Sequence, residues 1–142
     1  MGMVKVLVGG CFDLLHKGHM TFLKKAKEAG EKLIVLLESD ERIKKLKGKE
    51  RPVQTQSIRA QALKNLGFVD EVISLPNMES DKDYDDLIRK IKPDIISVTE
   101  GYPGINHHKR TAELVGAELK VVSKLIRNYS TTRQVSKKVV QQ

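Results

Sequence analysis

The chain has 142 residues, of which 26 are Lys or Arg and 18 are Asp or Glu, giving a formal charge of +8, with 39% hydrophobic and 31% charged residues. That length fits one domain over residues 1–142, and that balance excludes a disordered, collagen-like or disulfide-stapled chain. Apolar runs such as 33–37 reach five residues, far below the roughly 20 that a membrane-spanning helix needs, so a soluble protein with no membrane partner is expected.

The single cysteine, Cys11, has no internal disulfide partner, and the start of the chain lacks the apolar stretch of a secretory leader. Val6 stands where a myristoylation signal carries Ser or Thr. A cytoplasmic home is expected. The positive charge suits a polyanion, but three Tyr and three Phe scattered along the chain make a poor stacking platform for a nucleic-acid strand.

Residues 4–8 (VKVLV) read as a buried strand stopped by Gly9-Gly10. From His19 the apolar Met20, Leu23, Ala26 and Ala29 recur at helical spacing, with Gly30 placed to end the helix. Residues 32–38 (KLIVLLE) form the next strand, and the lysine-rich 39–51 is a loop or short helical turn before Pro52. A helix over 55–66 stops at Gly67, and a strand over 69–75 stops at Pro76. A helix over 81–91, a strand over 94–98, a helix over 108–115, a strand over 119–122 and a closing helix over 130–140 complete the chain. Five strands alternating with helices predict an α/β architecture, with a five-stranded parallel sheet and helices on both faces. Such sheets bind ligands beyond their strands' carboxyl ends, which points to residues 9–19, 39–51 and 99–104.

The first strand-to-helix turn carries the chemistry: Gly9-Gly10-Cys11-Phe12-Asp13, then His16, Gly18 and His19. It is neither a Walker A sequence nor the dinucleotide glycine fingerprint. Backbone amides at a glycine turn and a helix start suit a phosphate, and two imidazoles there would donate to phosphoryl oxygens as charge develops. Asp13 stabilises the turn or contacts the ligand, and the two roles can coexist. Cys11 fills the turn, with no base pattern to make it a nucleophile. The order Cys-x-Asp-x-x-His-x-x-His is a weak candidate for zinc, and no metal site is expected.

The run GCFDLLHKGH resembles the G-[T/C]-F-D-x-x-H-x-G-H signature of the cytidylyltransferase-like nucleotidyltransferases. The likeness continues in Ser39-Asp40-Glu41, Lys44-Lys45-Leu46-Lys47-Gly48 and Arg51-Pro52-Val53, which are similar to the adenylyltransferase half of ADP-heptose synthases. It extends to Arg59, to Val69-Asp70-Glu71-Val72 and to Ser130-Thr131-Thr132. The resemblance implies a Rossmann-like single domain that transfers a nucleotidyl group from an NTP to a phosphorylated acceptor and releases pyrophosphate. It implies that His16 and His19 act on the α- and β-phosphates, with Gly10, Cys11, Phe12, Asp13 and Gly18 around them. Lys45 and Lys47, on a mobile loop, would neutralise the pyrophosphate or the acceptor. Ser130, Thr131, Thr132 and Arg133 would hold the β- and γ-phosphates, Mg²⁺ would accompany the nucleotide, and Arg59 would sit near acceptor or triphosphate.

The stretch Thr99-Glu100-Gly101-Tyr102-Pro103 departs from the G-D-D-W and K-G-G-D-Y loops of relatives. That loop touches the nucleoside, which places Glu100 and Tyr102 there and leaves the choice of ATP or CTP open. By resemblance the leading expectation is AMP transfer from ATP to a sugar 1-phosphate of the heptose type, in a homodimer. Glycerol-3-phosphate cytidylylation and FMN adenylylation, as in archaeal-type FAD synthetases, are the enzymatic alternatives. A nucleic-acid-binding or nucleotide-sensing module is the non-enzymatic one. His107-His108-Lys109-Arg110 reads either as a basic surface helix start or as an acceptor-phosphate contact.

Overall fold

The computed structural model describes residues 2–101 and 104–124, the side chain of Lys124 excepted. The expected closing helix at 130–140, together with Tyr102, Ser130, Thr131, Thr132 and Arg133, lies outside the described residues. The elements run β1 (Lys5–Gly10), α1 (Lys17–Glu28), β2 (Lys32–Leu37), α2 (Asp40–Lys47), α3 (Gln56–Lys64), β3 (Glu71–Ser74), α4 (Asp81–Ile91), β4 (Ile95–Glu100), α5 (Ile105–Val115) and β5 (Glu118–Lys124).

The strands form one parallel sheet in the order β3-β2-β1-β4-β5, the α/β arrangement that the alternation of elements predicts. Period-2 alternation divides the core. Val6 and Val8 of β1, with Leu33, Val35 and Leu37 of β2, pack under Leu23 and Ala26 of α1 and Ala60 and Leu63 of α3. Leu7, Ile34, Leu36 and Ile96 pack on the other face with Ile88 of α4 and Ala112 of α5. No helix of the described residues is long and apolar enough to cross a membrane.

Three local readings are corrected. The glycine pair does not end β1, which pairs with β2 from Lys5↔Lys32 through Gly10↔Leu37. A Cβ on Gly10 would lie 3.0 Å from the Phe12 ring, so the glycine admits the folded-back phenyl rather than breaking the strand. The helix α1 ends at Ala29 in ordinary right-handed conformation. Gly30 is needed because a Cβ there would stand 2.6 Å from Val6 Cγ2 and 2.9 Å from the Val4 carbonyl. Residues 40–47 form a true helix, because the Ser39 hydroxyl accepts from the Arg42 amide at 3.1 Å and Ile43 is fully buried.

The sheet also fixes where a ligand fits. β1 pairs with β2 along its whole length, but with β4 only at Val6↔Ile95 and Leu7↔Ile96. Beyond Leu7 and Ile96 the carboxyl ends of β1 and β4 are no longer paired to each other. This is also the point where the strand order reverses, the place where open α/β sheets form their binding crevice.

Candidate active site

The turn from β1 to α1 is built around Asp13. Its carboxylate is 1% exposed and takes Arg51 Nε at 3.1 Å, the Val53 amide at 2.7 Å and the Gln54 amide at 2.9 Å. The residues on either side, Phe12 (φ 47°) and Leu14 (φ 54°), are both left-handed, a conformation that costs a side-chain-bearing residue of order 1–3 kcal/mol. The Leu14 amide is held by Gln54 Oε1 at 3.1 Å. The structure shows the turn-stabilising role of Asp13 in these contacts to Arg51, Val53 and Gln54.

Arg59 supports the same turn. Its side chain is fully buried, with Nε donating to Gln54 O (3.0 Å), Nη1 to Cys11 O (2.7 Å), and Nη2 to Glu38 O (3.0 Å) and Asp40 Oδ1 (2.7 Å). The guanidinium ties the turn between β1 and α1 to the end of β2 and the start of α2. Its planar fork of donors suits a pocket of converging carbonyls.

His16 is the N-cap of α1. Its Nδ1 accepts from the amides of Gly18 (3.1 Å) and His19 (3.4 Å), and His19 Nδ1 accepts from the His16 amide at 3.3 Å. This is a capping box made of two imidazoles in place of the usual hydroxyl and carboxylate. The rings stack with centroids 3.7 Å apart, and Phe12 meets His19 edge-on at 5.5 Å.

The consequence is chemical. A nitrogen that accepts from a backbone N–H carries no proton, so in each neutral ring the proton is on Nε2. Both rings are held neutral: burial pushes the His16 pKa down, and burial, with His16 and Lys47 nearby, takes His19 to about 3. His16 Nε2 is itself sequestered and has no hydrogen-bond partner among the described residues. The pair is a set of donors, not bases.

The two lysines part company. The charge of Lys47 acts on both Cys11 and His19, whereas Lys45 pairs with Glu79 at 3.3 Å, with most of its side chain in solvent. Both stand on α2, not on a loop. Burial raises the Cys11 thiol pKa, in keeping with a residue that fills space. Gly18 contributes its amide to the cap, and Glu100 is exposed at the end of β4. Among the described residues, no three His, Cys, Asp or Glu gather to hold a metal.

Two further groups stand at the cleft, of which the sequence reading singled out His108 within residues 107–110 but not Glu38. His108 lies over Gly9, where a Cβ would be 3.6 Å from its Cε1, and burial, with His107 beside it, takes its pKa to about 4. Lys109 and Arg110 of the same helix start are exposed, as the surface reading expects, whereas the His108 ring is half-buried and held neutral. Glu38, directly after β2, receives the Tyr84 hydroxyl on both carboxylate oxygens at 2.9 and 3.0 Å. The available signal was a charged residue closing the apolar run of a strand that ends at the cleft.

The profile of the cytidylyltransferase-like family matches residues 7–136. The chain is 42% identical over 115 residues to the bifunctional protein HldE of Campylobacter concisus, covering 80% of this chain and 22% of that protein. It is 38% identical over 134 residues to HldE of Pseudomonas entomophila, covering 93% of this chain and 27% of that one. The chain thus spans about a quarter of the length of these bifunctional relatives. It is 35% identical over 139 residues to the FAD synthase of Pyrococcus horikoshii, covering 97% of this chain and 90% of that enzyme. Among solved structures, the lipopolysaccharide core biosynthesis protein of Thermoplasma volcanium superposes with a TM-score of 0.70 at 26% identity, over 88% of this chain and all of that one. With a matching profile over most of its length and a relative matched nearly end to end, the chain belongs to the cytidylyltransferase-like family of nucleotidyltransferases.

Proposed function

We propose that the chain transfers AMP from ATP to the phosphate of a sugar 1-phosphate of the heptose type, releasing pyrophosphate. The observation that carries the mechanism is the pair of stacked, neutral imidazoles with Nδ1 tied to backbone amides. Neither ring accepts a proton through Nδ1, so the nucleophile must arrive already ionised. A phosphate monoester, with a second pKa near 6, does so at neutral pH. One of its oxygens attacks the α-phosphorus, the bond from that phosphorus to the α,β-bridging oxygen breaks, and pyrophosphate leaves with the electron pair. The two Nε2–H groups donate to phosphoryl oxygens as charge builds, and Lys47 offsets the charge of the triphosphate.

The acceptor class is supported by the identity to HldE and by the resemblance of residues 39–53 to ADP-heptose synthases. The proposal includes Ser130, Thr131, Thr132 and Arg133 on the β- and γ-phosphates, Glu100 and Tyr102 near the nucleoside, a cytoplasmic home and a homodimer. It also includes Mg²⁺ carried in by the nucleotide, where it shields phosphate charge. FMN is the second acceptor reading, favoured by the match to a whole FAD synthase.

The test combines the protein with ATP or CTP, Mg²⁺ and, separately, a heptose 1-phosphate, FMN or glycerol 3-phosphate. Pyrophosphate release and the mass of the product are measured. The ATP and heptose 1-phosphate pair is expected to react fastest; no pyrophosphate from any pair would refute transfer.

A further inference from the structure

Glu38 follows Leu36 by two residues and so shares the sheet face packed by α4 and α5. Its amide donates to the Gly10 carbonyl at 3.1 Å, which fixes it beside the catalytic turn. Among the described residues its carboxylate receives one neutral donor, the Tyr84 hydroxyl, at 2.9 and 3.0 Å. Tyr84 is braced edge-on by His107, ring centroids 5.4 Å apart. The charges of Arg42, His107 and Arg59 all reach Glu38, yet burial still raises its pKa. Arg42 Nε is buried and makes no hydrogen bond among the described residues.

A carboxylate offers about four acceptor positions, and a single hydroxyl proton serves one at a time. Half-buried with one neutral donor, Glu38 is short of hydrogen bonds, and a group that is short of donors is satisfied by a ligand that brings them. A phosphate brings none and repels the charge. Hydroxyl groups bring them, and neighbouring hydroxyls match the spacing of the two oxygens. The side of the cleft matters too. The crevice of the strand reversal opens between β1 and β4, where pairing stops at Leu7↔Ile96 and a nucleotide fits. Glu38 lies on the opposite flank of β1, against β2, within reach of a second substrate whose phosphate is at the histidine turn.

We propose that Glu38, presented by Tyr84, binds the hydroxyls of the acceptor and so selects hydroxylated phosphate monoesters. The proposal rests on the transferase reading and narrows it, because phosphate monoesters without hydroxyls lose this contact.

The test is calorimetric binding to the full chain, first of a non-hydrolysable ATP analogue with Mg²⁺. Mannose 1-phosphate, FMN and ethyl phosphate are then titrated into the analogue-saturated protein. Hydrogen bonds to a charged group predict that at least one of the two hydroxylated probes binds about tenfold or more tighter than ethyl phosphate. Glu38→Gln removes that margin without changing the affinity for the analogue, and Tyr84→Phe shrinks it and reports in its place if Glu38→Gln does not fold. Equal affinities for all probes, no binding of either hydroxylated probe, or an unaltered margin in the variants would overturn the assignment while leaving transfer intact. Weakened analogue binding in Glu38→Gln would also overturn it, by moving the carboxylate to the nucleotide. If the analogue itself fails to bind the wild-type protein, the transferase reading falls, and this assignment with it.

Discussion

Replacing Asp13 by Asn keeps the shape of the side chain and removes its charge. Three donors converge on this carboxylate, and the strongest of them, the Arg51 guanidinium, is only 4% exposed. The amide retains one acceptor oxygen for the Val53 or Gln54 N–H, but turns an NH2 toward another donor and leaves a buried cation uncompensated. Removing one partner of a buried pair costs about 3–5 kcal/mol. We take about 4. For 142 residues, an unfolding entropy of roughly 2.1 cal/mol/K per residue gives about 0.3 kcal/mol/K, so the melting temperature should fall by about 13 °C. Urea unfolding monitored by circular dichroism provides the equilibrium value, with an unchanged slope confirming a two-state comparison. The cause is isolated by adding Arg51→Met: once the stranded cation is gone, the double variant should be more stable than the sum of the single losses predicts. A loss below about 1 kcal/mol for Asp13→Asn, or strict additivity of the pair, would refute the reasoning.

Three further outcomes follow from the same geometry. His19, taken by burial to about 3, is neutral when folded and titrates near 6.5 when unfolded, so the unfolded chain binds the extra proton between those values. Stability is therefore full above about pH 6.5 and falls as the pH is lowered; urea midpoints between pH 7 and 5 should show this slope, and His19→Gln should flatten it, an unchanged slope counting against the buried neutral ring. Arg59→Lys keeps a charge but loses the fork that serves the Cys11, Gln54 and Glu38 carbonyls, so it should destabilise by roughly 2–4 kcal/mol in the same assay, and a wild-type midpoint would return Arg59 to the surface. Lys47→Ala should slow pyrophosphate release by about 10²-fold or more while Lys45→Ala costs under about threefold, because only Lys47 acts on the catalytic turn; equal losses would contradict that division.

Local patterns were readable and distant ones were not. α4 occupies the predicted residues, Asp81–Ile91, because its signals are adjacent: the Ser80 cap before it, acids in its first turn, and Lys92 in left-handed conformation followed by Pro93 after it. α2 was ambiguous because its apolar content is Ile43 and Leu46, and Leu46 is exposed, which leaves almost no stripe for a periodicity to detect. The two histidines were legible for the same reason as α4: a spacing of three at a helix start is a local fact. The contacts that define the site are not of that kind. Asp13 meets Arg51 across 38 residues, Arg59 meets Cys11 across 48 and Tyr84 meets Glu38 across 46, and no spacing rule encodes such pairs. Arg59 shows the cost of reading function from residue type, since a cation near a phosphate site serves the scaffold as readily as the ligand.

Why so much of the scaffold is committed to one turn follows from the chemistry that the turn can perform. With both Nδ1 atoms committed to backbone amides, neither imidazole takes a proton from an incoming nucleophile through that nitrogen, and on the proposed reading rate enhancement comes from placement and from charge already in position. Placement is effective only when the donors do not have to reorganise during the reaction. A backbone with left-handed Phe12 and Leu14 would relax if left to itself. The Asp13 contacts to Arg51, Val53 and Gln54, and the Arg59 contacts to Cys11 and Glu38, oppose that relaxation from both sides of the turn. The buried ionic network is thus better understood as a device for rigidity than as a store of stability, since a buried ion pair is weak evidence for net stabilisation. It holds the turn and the two stacked imidazoles in one geometry.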